Sequence, residues 1–156
     1  MSGPCPLYSV VLIAIDGSPR SHGILETVST FCEQTRHRLH VLLAVDRAYA
    51  LPEQDGHISP QDETEYPAAS HEQQVADMSM LQAVTHLRER GFQTEGNLVN
   101  GDPVSSIVAE AKRLGSDLIV MGHRHLSRLD RMFDPSISSK VIDKADCPVL
   151  VDARHL

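Results

Sequence analysis

Four short stretches of this chain are apolar at nearly every position, and they limit its possible folds more than any other feature. They are Tyr8–Ile15 (YSVVLIAI), Leu39–Val45 (LHVLLAV), Asp117–Met121 (DLIVM) and Pro148–Val151 (PVLV). All are rich in valine, isoleucine and leucine and too short to be core helices. A strand with one wet face alternates apolar and polar residues, whereas a strand that is apolar throughout is covered on both faces. Such strands belong in a parallel sheet between two layers of helices.

The intervening segments read as those helices. After the first run comes Asp16-Gly17-Ser18-Pro19, in which Ser18 suits an N-cap and Pro19 a first helical residue. Ile24, Leu25, Val28, Phe31 and Cys32 follow at helical spacing. Val75, Met78, Leu81, Val84 and Leu87 recur every third residue and stop before Gly91, a helix end. Phe92–Val99 reads as a further, more polar strand. Gly101-Asp102-Pro103 opens a helix through Ile107, Val108, Ala111 and Leu114, with Gly115 just past its end. Pro135–Ala145 predicts the last helix. Parallel strands joined by helices require right-handed crossovers. The expected fold is therefore a doubly wound, Rossmann-like α/β domain of three layers, a five-stranded parallel sheet flanked by four helices. The 156 residues suit one domain over 1–156 with a core of about 7–152.

One segment interrupts the alternation. Between Asp46 and Asp77 there are eight acids and only Arg47 as a base, so this stretch carries all of the chain's formal charge of −7. With Pro52, Gly56, Pro60 and Pro67 it reads as a solvated acidic loop over about 46–70 that leads into a helix.

Charge and composition also exclude partners. A net charge of −7 disfavours nucleic acid and anionic membrane. Aromatic residues are 4% and tryptophan is absent, which leaves no platform for stacking bases. No apolar run approaches the roughly 20 residues needed to span a bilayer. Met1-Ser2-Gly3-Pro4 shows neither a signal peptide nor a myristoylation pattern. Cys5, Cys32 and Cys147 are odd in number and far apart, which suits free thiols in a reducing, cytoplasmic setting.

Ligands of doubly wound sheets sit beyond the carboxyl ends of the strands, near the point where strand order reverses. The places to search are Asp16–Ser18, Val45–Ala48, Asn100–Asp102 and the stretch after Met121. Neither GxxxxGK[ST] nor GxGxxG occurs there, and no GxSxG elbow is present. A receiver domain fails as well, because strand three ends in Asn100 and strand five has no lysine. His123 and His125, with His37 or His40, lack the spacing of a tetrahedral site, so neither a metal nor a catalytic constellation is expected.

Four separated motifs, in order, resemble the universal stress protein family. They are Ala14-Ile15-Asp16-Gly17-Ser18, Gly101-Asp102-Pro103, Met121-Gly122 with the loop to Ser136, and Ala145-Asp146-Cys147-Pro148-Val149-Leu150-Val151. The resemblance runs over residues 7 to 152 and implies the adenine nucleotide alpha hydrolase-like form of the fold. It also implies a nucleotide site formed by Ala14, Asp16, Val45, Gly101, Met121, Gly122, Arg124, Ser136 and Ile137. In the family a GxxG-x9-G[ST] loop wraps ATP phosphates. Here Gly122 and Ser136 match its ends, while His125 and Pro135 replace two glycines. A histidine obstructs backbone approach to phosphate, and proline removes an N–H. Asp134 would cap the following helix and repel a triphosphate there. Arg124, Arg128 and Arg131 could hold phosphate by side chains instead.

The function implied is a cytoplasmic, non-catalytic stress-response and regulatory module. It requires no cofactor, and ATP or another adenine nucleotide is its weakened ligand. The alternatives are a slow nucleotide hydrolase or phosphotransferase, and an interaction protein with a closed pocket; protein partners are not specified. The last strand falls at a sheet edge, and the resemblance makes it the seam of a homodimer through Val149, Leu150 and Val151.

Overall fold

The computed structural model describes residues 9–45, 67–122 and 137–153. Tyr8, Cys5, the acidic stretch 46–66 and the loop carrying Arg124, His125, Asp134, Pro135 and Ser136 lie outside them. The elements are β1 (Val10–Ile15), α1 (Arg20–Phe31), β2 (Arg38–Val45), α2 (Pro67–Glu89), β3 (Gln93–Asn100), α3 (Pro103–Leu114), β4 (Leu118–Gly122), α4 (Ile137–Lys144) and β5 (Val149–Asp152). Five strands form one sheet in the order β3-β2-β1-β4-β5, and every pair is parallel. The expected doubly wound α/β architecture is therefore the observed one.

The strands that are apolar throughout are the central ones, and each feeds two cores. Val11, Ile13 and Ile15 of β1 face α1 and α2 together with Leu39, Val41, Leu118 and Val120. Leu12 and Ala14 face α3 and α4 with Leu42, Ile119, Met121, Ile107 and Val141. Leu12, Ile13 and Ile119 are wholly buried, each contributing about 1.5–3 kcal/mol of hydrophobic free energy. β3 is polar because it is an edge, with its inward side chains limited to a few positions such as Thr94.

Three expectations are corrected in detail. Ser18 does not cap α1: the helix starts at Arg20 without a side-chain cap, after Pro19 in helical conformation. Asp16 takes that role in another form, its Oδ1 accepting from Ser18 N at 2.9 Å and Ser21 Oγ at 3.2 Å. A carboxylate two residues upstream is the stronger acceptor for those donors. Second, α2 begins at Pro67, so the acidic loop cannot extend to residue 70 as helix-free chain. Third, only the last two members of the every-third-residue series on α2, Val84 and Leu87, lie on its core face. Val75, Met78 and Leu81 are 42%, 61% and 67% exposed, whereas Ala76, Ala83, Val84 and Leu87 are buried.

α2 lies so close to β3 that a Cβ at Gly96 would collide with Met80 Sδ and come within 2.7 Å of Val84 Cγ2. α3 is built as its sequence predicts, with Asp102 accepting from Ser105 N at 2.8 Å and Pro103 in the first turn. It stops at Gly115 in the left-handed region.

Candidate functional site

Strand order reverses between β1 and β4: the chain leaves β1 for β2 and β3, then crosses back to β4 on the other side. The crevice above such a reversal is where this architecture receives ligands. Two expected residues meet in its floor, since Ala14 and Met121 are register partners on β1 and β4 and both are buried. Gly122 follows Met121 and pairs in register with Asp152 of β5. It lies against α1, because a Cβ there would come within 3.0 Å of Ile24 Cδ1.

The turn after β1 forms one wall. Gly17 adopts φ +75°, a conformation that other residues reach only at a cost. Its position faces Ser79 of α2, whose Oγ lies 3.5 Å from Gly17 O. Asp16 is exposed, and its Oδ1 organises the turn as described above. The buried Ser18 Oγ has no hydrogen-bond partner among the described residues.

The turn after β3 forms the other wall. Val45 closes β2 and is buried; its carbonyl accepts from Gly101 N at 2.8 Å. Gly101 has φ +151°, and the Asp102 carboxyl is held below its ordinary range mainly by the Ser105 N–H it accepts. Lys144 and Lys140 of α4 add to that shift. Ile137, half-buried, is the first residue of α4 and packs on the α3–α4 core. Ala14, Asp16, Val45, Gly101, Met121 and Gly122 thus stand at or just past the carboxyl ends of their strands and Ile137 opens α4, whereas Arg124 and Ser136 lie outside the described residues. Ser79 is a residue that sequence reasoning missed. It sits beside the exposed series on α2, and only the packing of α2 on the β1 turn reveals it.

The seam candidates divide into two sorts. β5 is an edge strand, as expected. Ile119 N donates to Pro148 O at 3.0 Å, so by the alternation of a parallel ladder Leu150 also turns its main chain toward β4. Val149 and Val151 present theirs to the open edge. Leu150 packs into the α1–α2 core, and Val149 and Val151 into the α3–α4 core.

Among the described residues no helix is long and apolar enough to cross a membrane. Cys32 and Cys147 are free thiols, and burial pushes Cys32 up to about 12.

Comparison with known proteins gives a consistent picture. Universal stress protein YxiE of Bacillus subtilis (strain 168) is 30% identical over 146 residues, covering 93% of this chain and 99% of that protein. A universal stress protein solved in complex with cAMP superposes with a TM-score of 0.71 at 19% identity, covering 94% of this chain and 98% of the other. One from Archaeoglobus fulgidus, solved in complex with dAMP, gives 0.59 at 21%, covering 93% and 98%. The universal stress protein family itself matches residues 7–152, and this chain belongs to it.

Proposed function

We propose that this protein is a cytoplasmic, non-catalytic stress-response module that works as a homodimer and carries an adenine-nucleotide site above β1 and β4. The observation that carries the nucleotide reading is the pair of glycine turns, at Gly17 and Gly101, flanking a floor of Ala14, Met121 and Gly122. Such turns let backbone approach a ligand closely. Two proteins of the same fold hold adenine nucleotides with one phosphate, cAMP and dAMP. That chemistry suits a chain in which His125 and Pro135 replace loop glycines and Asp134 adds a negative charge. The non-catalytic reading is supported by Asp16, whose Oδ1 is committed to its own turn, and phosphoryl transfer needs a placed metal ligand. Mass spectrometry of gently denatured protein should release AMP-class nucleotide or none, and ATP-Mg should bind no tighter than millimolar. Micromolar ATP binding by the unaltered chain would overturn the weakened-loop reading and assign Arg124, Arg128 or Arg131 as phosphate ligands. Replacing His125 and Pro135 by Gly and Asp134 by Asn should improve ATP affinity.

The homodimer reading rests on the open edge of β5, where Val149 and Val151 offer N–H and C=O groups to a second copy running antiparallel. Val151→Pro removes an outward donor without touching the β4 ladder and should give a folded monomer. Light scattering that finds the unaltered chain monomeric at tens of micromolar would refute the seam.

A further inference from the structure

Where α1 and α2 lie side by side, three side chains with metal-binding chemistry converge. His22 and Glu26 are one turn apart on α1, and His86 comes from the last turns of α2. Glu26 Oε1 stands 3.7 Å from His22 Nε2 and 3.0 Å from His86 Nε2. All three donor atoms lie within 4.8 Å of one another. The imidazoles meet edge to face, with centroids 5.1 Å apart. An ion of the zinc class binds such atoms at about 2.0–2.2 Å, which sets neighbouring ligand atoms roughly 3.3 Å apart around a tetrahedron. The two sides that meet at Glu26 Oε1, 3.7 Å and 3.0 Å, are therefore close to the edges of a coordination face already.

We propose that His22, Glu26 and His86 form a site for a divalent ion of the zinc class, with solvent completing the coordination. Two imidazole nitrogens and one carboxylate oxygen suit zinc, copper or nickel and not calcium or magnesium, which prefer oxygen throughout. Packing of α2 holds His86, which is 24% exposed, while the more open His22 is free to close on an ion. Without metal, Arg90 is the cation at this carboxylate, its Nη2 2.7 Å from Glu26 Oε1 and its Nη1 3.0 Å from Oε2. A half-exposed ion pair of this kind contributes little, so a metal displaces it readily. Arginine and metal compete for one carboxylate, and this competition distinguishes a metal site from an ordinary polar seam. The bound ion would clip together two helices whose ligands are 60 residues apart, Glu26 and His86. It is separate from the nucleotide crevice.

The full chain, stripped with chelator, should be titrated with Co2+ and read by visible d–d absorption, with Zn2+ binding measured by calorimetry. One ion per chain is expected, with bands of low coordination number and a raised melting temperature. His22→Ala and His86→Ala should each weaken binding by roughly ten-fold or more, while His37→Ala and His71→Ala leave it unchanged. Arg90→Gln should tighten it several-fold. Binding unaltered in both His22→Ala and His86→Ala, no binding below millimolar, or weaker binding in Arg90→Gln would each overturn the proposal. If His86→Ala does not fold, His22→Ala decides, since that position is exposed on α1.

Discussion

At the amino ends of the strands the Asp117 carboxylate accepts from Ser9 N at 3.1 Å, Ser9 Oγ at 2.8 Å and Val10 N at 2.9 Å. At the carboxyl ends Asp16 serves an exposed turn, beside a glycine at positive φ and a buried Ser18 hydroxyl for which the described residues hold no partner. The first arrangement fastens the start of β1 to the start of β4. On α3, Glu110 is buried yet satisfied by Arg113, at 3.0 Å and 2.5 Å, and by Asn97 of β3 at 3.4 Å. The Arg113 hydrogen bond, ahead of burial, sets its lowered pKa. Each end holds one buried hydroxyl without a partner among the described residues, Ser116 Oγ at the amino ends and Ser18 Oγ at the carboxyl ends, but only the amino ends tie two strands together through a carboxylate. On the nucleotide reading proposed above, the carboxylate tie and the ligand crevice lie at opposite ends of β1 and β4.

Asp117→Ala tests this division hardest. It strands two backbone donors and should lower unfolding free energy by about 2–3 kcal/mol in urea titrations, with nucleotide affinity unchanged. A loss no greater than that of the Asp16 variant would break the comparison. Acid should reveal the same tie. The Asp117 carboxyl is held below its ordinary value, chiefly by the Val10 N–H, so its contribution is present above the unfolded pKa of about 4 and disappears as pH falls through the lower folded value. Below pH ~4 the stability of Asp117→Asn should therefore fall less steeply than that of the unaltered chain. At the other end Gly17→Ala forces a side chain into positive φ and should cost about 1 kcal/mol, measured by thermal unfolding. Any nucleotide bound there should lose affinity as well. The smallest stability effect belongs to Asp16→Ala, a few tenths of a kcal/mol in an exposed turn, because solvent replaces the lost acceptor. Calorimetry that found nucleotide binding untouched in both turn variants would sharpen the comparison against the crevice.

The strands were legible because β1, β2 and β4 must be apolar on both faces, a condition written residue by residue. The α2 face was not, for a geometric reason. Residues three apart advance 300° around a helix, so Val75, Met78, Leu81, Val84 and Leu87 drift by 60° at each step and cannot share one face. The buried face joins Ala76 and Ala83 to Val84 and Leu87, and Gly96 makes room for Met80 and Val84, a fit that is invisible until helix meets strand. The crevice was legible from glycines and strand ends, whereas Ser79 and the Glu26–His86 pair depend on tertiary contact alone.

The central place of β1 also bears on how the protein is made. Its partner β2 follows within a few dozen residues, but Val11 pairs with Leu118, far downstream. As a ribosome releases the chain, β1, β2 and β3 can associate under α1 and α2 while Leu12 and Ala14 still await α3 and β4. A nascent chain paused before residue 118 therefore shows an apolar face and a bare strand edge, the features that chaperones recognise and that promote misassembly. The closing of β4 onto β1, which must precede the docking of β5 on β4, is the step that completes the floor of the crevice.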